Sequence, residues 1–359
     1  MHTSHLVAGS GLLAASLLAI VSLPAVAPPS PVWEERPAVT AVSHLVFDAE
    51  RDIMLEAQRP DEERAMASTT KMMTAIVAIE EGNLDDEVLV SQEAAEAGEA
   101  EVDLVPGEVL PLRDLVTAMV VRSANDAAIA IAEHVAGSTP EFVGLMNTKA
   151  EELGLTRTNF ANPHGLDEEN HYTSARDLLT LGRYVMENEI YREMAALSSF
   201  ELPPSPADGE ERVAVNTNLM LEDFRGTTGI KTGFTSSAGR VFVGSFDRPL
   251  GTMYSVVMGS DEEFDHFEDT RALVSWAYSK ADTAQRLLSG GEVHQGALLV
   301  EADPLQRTAS AEMLLALAAD GVLGEPSRDP EPPPVITERG GSDEVSLTDA
   351  ALWPFRNDP

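Results

Sequence analysis

The sequence predicts an α/β protein in which a sheet packs beside a separate helical cluster. Strand-like apolar runs open and close the globular part of the chain, a block of helical patterns lies between them, and one more helix follows the last strand. With 359 residues, 43% of them apolar, the chain is long enough for one large domain with appendages, or for two domains.

Residues 6–27 form an uncharged run of Leu, Ala, Val, Ile and small residues ending in Ala25-Val26-Ala27, an A-x-A type cleavage site. About 20 apolar residues also suffice to span a bilayer. Segment 1–27 therefore reads as a signal peptide or N-terminal anchor, the body as exported, and any membrane contact as confined to this run. Residues 28–39 are a Pro-rich, extended linker. The globular domain covers 40–280. Residues 41–48 (AVSHLVFD) and 53–58 are short apolar-rich runs that predict a β-hairpin. Residues 69–81 (TTKMMTAIVAIEE) are apolar nearly all round, the pattern of a buried helix. Residues 112–122, 127–135 and 141–153 read as helices, the last ended by Gly154, and 174–188 as a helix with Ser174 and Asp177 as its cap-like start. Residues 240–246 and 252–259 read as strands, and 265–279 as the closing helix. Residues 281–323 are a short C-terminal extension with one further helix at 310–320. Residues 324–359 are an acidic, Pro-rich tail expected to be disordered, although 350–355 (AALWPF) suit docking onto the body.

Twenty-four Lys and Arg face 60 Asp and Glu, a net charge of −36 that repels nucleic acid and anionic membrane surfaces. The absence of Cys excludes disulfides, a thiol nucleophile and Cys-ligated metal. Lysine occurs only at Lys71, Lys149, Lys231 and Lys280, so nearly all positive charge is Arg. Such an acidic surface suits either work in concentrated salt, where counterions screen self-repulsion, or a codon bias toward Arg and Glu.

Three motifs bear chemistry. In Ser68-Thr69-Thr70-Lys71, Ser68 and Lys71 share one face at a helix start. A Ser hydroxyl needs a base beside it, and a Lys among apolar neighbours loses its charge readily enough to serve. Ser123-Ala124-Asn125 precedes the helix at 127. Lys231-Thr232-Gly233 lies on a strand whose exposed edge suits a carboxylate, with Gly233 leaving room for a substrate backbone. Taken singly, the first two also suit a helix cap with a snorkelling Lys and an ordinary cap. In this order the three are the S-x-x-K, S-x-N and K-T-G set of penicillin-binding proteins and class A β-lactamases. An Arg-using chain that keeps Lys at two motif positions strengthens the match, since Arg does not deprotonate.

The chain resembles the serine D-alanyl-D-alanine carboxypeptidases, the low-molecular-mass penicillin-binding proteins. The resemblance spans about residues 40–280 and also rests on LVFDAE at 45–50, MNTKAEELGL at 146–155, NPHGL at 162–166, GIKTGFT at 229–235 and FEDTRALVSW at 267–276. It implies a β-lactamase/transpeptidase-like fold, an antiparallel sheet flanked by helices plus an all-α subdomain, with the site between them. It also implies Ser68 as acylated nucleophile, Lys71 as its base, Ser123 as proton relay and Asn125 as orienting residue. Lys231 and Thr232 would hold the substrate carboxylate, and the N–H groups of Ser68 and Phe234 the oxyanion. The implied substrate is a peptidoglycan stem peptide ending in D-Ala-D-Ala, with β-lactams as inhibitors and no metal or organic cofactor. Relatives often carry an Arg before F-E-D-T; here His266 stands there, so carboxylate binding is expected to weaken as a partly charged His titrates, unless Arg240 or Arg271 substitutes. Relatives also often add a β-rich domain and an amphipathic anchor, for which the short acidic stretch after Lys280 is no match.

A class A-like β-lactamase would need a Glu to activate water, for which Glu168 and Glu169 are the candidates. A D,D-endopeptidase would use the same site, and a wall-binding or β-lactam-sensing module would keep the fold without turnover. His134, His164 and His171 are not spaced as a metal site.

Overall fold

A computed structural model describes residues 36–98 and 100–289. The N-terminal run, the linker up to residue 35, the extension past residue 289 with its expected helix, and the acidic tail lie outside the described residues.

The chain begins with the expected hairpin of β1 (Ser43–Asp48) and β2 (Ile53–Gln58), paired antiparallel. A 3-10 turn, Ala67–Thr70, runs straight into α1 (Lys71–Glu81). A small excursion of β3 (Glu87–Leu89), α2 (Gln92–Ala95) and β4 (Val109–Pro111) precedes α3 (Leu112–Arg122), α4 (Asn125–Ala136) and α5 (Thr139–Glu152). Next come α6 (Ala175–Glu187), α7 (Glu189–Ala195), a hairpin of β5 (Ser199–Leu202) and β6 (Arg212–Val215), and α8 (Met220–Asp223). The chain then returns through β7 (Thr227–Thr235), β8 (Gly239–Arg248) and β9 (Gly251–Ser260) and closes with α9 (Asp265–Ser289).

Cap chemistry sets several helix boundaries. The hydroxyl of Ser174 accepts from the N–H of Asp177 at 3.2 Å and opens α6, as the Ser-x-x-Asp spacing predicts. Asn188 does the same for α7 from Tyr191 at 3.1 Å. The helix predicted to stop at 188 is thus followed at once by a second, because Asn188 is a start signal as well as an end. The closing helix also runs past its expected end at 279, to Ser289.

Five strands form one antiparallel sheet in the order β2-β1-β9-β8-β7. This arrangement brings the first hairpin beside the last strand and leaves β7 at an edge. A large core of α1, α3, α4 and α6 side chains with Leu45, Val241, Val243 and Val256 fills one face of the sheet. Val46, Phe242, Phe246 and Val257 pack against Phe267, Leu273 and Val274 of α9 on the other. The alternation of Val241/Phe242/Val243 between the two cores is the period-2 signature of a strand buried on both faces.

Candidate active site

The first motif occupies the junction of the 3-10 turn and α1. Ala67 takes a left-handed φ of +49°, which starts the turn that carries Ser68. Lys71 is fully buried, and its Nζ lies 3.1 Å from Ser68 Oγ. Nζ also donates to Asn125 Oδ1 at 2.7 Å and, at short range, to the backbone carbonyl of His164. Burial holds the Lys71 pKa well below the ordinary lysine value; the nearby charge of Lys231 lowers it further, against a smaller opposing pull from Asp126. A neutral amine has two N–H donors and one lone pair. With Asn125 and His164 taking the donors, the lone pair is left for the hydroxyl of Ser68.

Asn125 opens α4 and is itself fixed. Its N–H donates to Ala100 O at 2.6 Å and its Nδ2 to Gly98 O at 3.1 Å. Next to it, Asp126 accepts from the N–H groups of Val102 and Leu104 at 3.0 and 3.1 Å, so the loop at 100–104 is tied to the second motif. Ser123 ends α3 in the left-handed region, φ +70°, with its Oγ buried and no hydrogen-bond partner among the described residues.

The third motif lies on β7. Lys231 is buried, donates to Thr232 O at 3.2 Å, and has its pKa pushed down to about 7 by burial. Thr232 Oγ1 lies 2.6 Å from Thr217 Oγ1. A Cβ at Gly233 would fall 2.8 Å from the backbone nitrogen of Ser68. The missing side chain at Gly233 also lets β7 close against the Ser68 turn. Phe234, the next residue, is 54% exposed at the mouth of the site.

The NPHGL segment contributes through its backbone, for which side-chain patterns carry no signal. Gly165, at φ +95°, presses on Ala67, whose carbonyl oxygen would lie 2.1 Å from a Cβ there. His171 Nδ1 accepts from the N–H of Ala161 at 3.0 Å, so Nε2 carries the proton and donates to Thr70 Oγ1 at 2.8 Å. Thr70 in turn donates to Ala67 O at 2.8 Å. Burial, the first cause in each case, holds the pKa of His164 and His171 near 4, which keeps both rings neutral. Among the described residues no cluster of His, Asp or Glu is placed to hold a metal.

His266 departs from expectation. It is buried at the start of α9, with its ring 4.0 Å from that of Phe267, and burial followed by the charge of Arg240 lowers its pKa to about 4. It is neutral near pH 7 rather than partly charged, so it offers no cation to a carboxylate. The candidate water-activating carboxylates Glu168 and Glu169 are exposed, and Glu168 accepts from Asn162 Nδ2 at 3.0 Å.

An antiparallel sheet, a helical flank and a buried lysine amine 3.1 Å from a serine hydroxyl at their junction are the arrangement that the resemblance to the penicillin-binding proteins implied. Residues 30–262 match the D-alanyl-D-alanine carboxypeptidase family, and the chain belongs to it. It is 31% identical over 248 residues to D-alanyl-D-alanine carboxypeptidase DacF of Bacillus subtilis, covering 68% of this chain and 63% of that protein. It is likewise 31% identical to DacC of Escherichia coli, over 69% of this chain and 64% of the relative. The chain thus aligns with a little under two thirds of the length of these relatives. Among solved structures, the Streptomyces K15 DD-transpeptidase superposes with a TM-score of 0.64 at 26% identity, covering 68% of this chain and 99% of that one. A D-alanyl-D-alanine carboxypeptidase of Mycobacterium tuberculosis does so with the same score and identity, over 75% and 97%.

Proposed function

We propose that this chain is a serine D-alanyl-D-alanine carboxypeptidase that removes the terminal D-Ala of peptidoglycan stem peptides outside the cytoplasmic membrane. The observation that carries the reading is the buried Lys71 amine, 3.1 Å from Ser68 Oγ, held also by Asn125 and the His164 carbonyl, with its pKa lowered well below the ordinary lysine value by burial.

Lys71 takes the Ser68 proton as Oγ attacks the carbonyl carbon of the penultimate D-Ala. The carbonyl π electrons move to oxygen, where the N–H groups of Ser68 and Phe234, brought near each other by Gly233, stabilise the charge. The C–N bond then breaks, and the leaving nitrogen receives the proton from Lys71 by way of Ser123, whose unpartnered hydroxyl suits a relay. D-Alanine departs, leaving an ester on Ser68. Water attacks that ester with Lys71 again as base, and the carboxylic acid product and the free Ser68 hydroxyl result. Thr232 meets the substrate's terminal carboxylate with the Lys231 amine behind it, and β-lactams acylate Ser68. The exposure of Glu168 and Glu169 favours this reading over a class A-like β-lactamase.

D-Alanine release from a pentapeptide tests it. Wild type releases D-Ala, Ser68→Ala releases none, and Lys71→Arg, which keeps the charge but provides no base, falls about 1,000-fold. Release by Lys71→Arg at the wild-type rate would refute the assignment of the base.

A further inference from the structure

We propose that Arg240, on β8, is the residue that reads the substrate's terminal carboxylate, from the sheet rather than from α9. This rests on the carboxypeptidase reading above, because an enzyme that trims chain ends must tell an end from an interior bond, and the anion is what marks the end.

The candidate cations around Thr232 are few. Lys71 is engaged by Ser68, Asn125 and the His164 carbonyl, and burial disfavours its charge. Lys231 is buried beneath the strand, points at Thr232 O, and loses charge close to neutrality. His266 is neutral and packed on Phe267. Arg271 is taken: its Nη2 meets both carboxylate oxygens of Asp223 at 2.6 Å, and its Nε lies 3.5 Å from Glu268.

Arg240 differs from all four. It lies directly opposite Phe234 in the β7–β8 register, as Phe242 lies opposite Thr232, so Arg240, Phe234 and Thr232 share one face of the sheet. Its guanidinium stacks over the Phe234 ring at 4.5 Å, which holds it at the mouth of the site. Its Nε is buried without a hydrogen-bond partner, and in a chain with 60 acidic residues no carboxylate among the described residues pairs with it. A desolvated donor on a permanent cation is costly to leave unmade. A ligand carboxylate placed between Thr232 Oγ1 and the guanidinium fork would satisfy it, and the planar fork suits two oxygens at once.

The experiment compares two peptides that differ only at the C-terminus, one ending in D-Ala-D-Ala with its free carboxylate and the other in the corresponding carboxamide. Cleavage of both is followed in wild type, Arg240→Gln and Arg240→Lys. Wild type is expected to prefer the free acid strongly. In Arg240→Gln, kcat/KM for the acid falls about 100-fold while that for the amide stays within about twofold, so the preference collapses. Arg240→Lys keeps part of it, as a point charge without the fork. The ratio of the two substrates is independent of how much of each variant is folded. A wild-type ratio retained in Arg240→Gln and Arg240→Lys overturns the proposal, as does a wild-type enzyme indifferent to the carboxylate. If wild type cleaves neither peptide, the carboxypeptidase reading falls first and takes this inference with it.

Discussion

Lys71 and Lys231 are both fully buried, yet their surroundings set them different tasks. Lys71 is held by Asn125 and the His164 carbonyl with Ser68 beside it, whereas Lys231 sits with a pKa of about 7 behind the residue that meets the substrate. A lysine is charged below its pKa, so Lys231 attracts an anion at pH 6 and loses that attraction by pH 8. KM for a D-Ala-D-Ala peptide should therefore climb over this range. The climb is assigned to Lys231 because His266, with a pKa of about 4, is neutral throughout. His266→Gln should leave the shape of the KM–pH curve unchanged, and steady-state kinetics at several pH values check this; a curve flattened in that variant would return His266 to the carboxylate site. The sequence placed His266 at the start of the closing helix, but read its imidazole as partly charged, whereas burial lowers its pKa to about 4. Its protonation depends on the Phe242 and Phe267 rings and on Arg240, which come together only through packing.

At the scale of elements, the site is a junction of the α1 turn, the α3–α4 corner, the NPHGL segment and the edge strand β7. Gly233 is where strand and turn touch. Gly233→Ala puts a methyl group 2.8 Å from the Ser68 nitrogen, so strand or turn must shift, and acylation of Ser68 by a fluorescent penicillin should slow about 100-fold. Farther out, the β5–β6 hairpin is held by Arg212, whose guanidinium donates to both oxygens of Glu108 with side-chain exposures of 5% and 6%. Arg212→Ala leaves a buried carboxylate unpaired and should lower unfolding stability by about 3–5 kcal/mol, measured by urea titration. Arg212→Met combined with Glu108→Leu should recover most of that loss, since the pair's own desolvation cost goes with it. The long elements were readable: the β1–β2 hairpin, α1, α3–α6 and the strands β8 and β9 follow from periodicity and caps. Strands β3, β4, β5 and β6 were not, because three or four residues are too short to display an alternation.

Across the whole molecule the dominant physical fact is the charge of −36. Ion pairs such as Arg176–Asp61 and Arg157–Glu63 are half-exposed and add little. Uncompensated repulsion should thus be relieved by counterions, and the melting temperature should rise with added NaCl; a flat or falling response would assign the acidity to composition alone. No helix among the described residues is long and apolar enough to cross a membrane. By itself the sequence determined the residue types, their order and their local geometry. Ser68 and Lys71 share a face because a helical turn repeats every three to four residues, and the apolar pattern around Lys71 already implied a lowered lysine pKa. Only the tertiary structure decided which groups converge on that amine, since Asn125 and His164 reach it from 54 and 93 residues away and one of them acts through a backbone carbonyl. It also decided which arginine stands free beside the site. Ion pairing and burial belong to the neighbours that folding supplies, and Arg240 and Arg271 are alike until Asp223 is brought to one and Phe234 to the other.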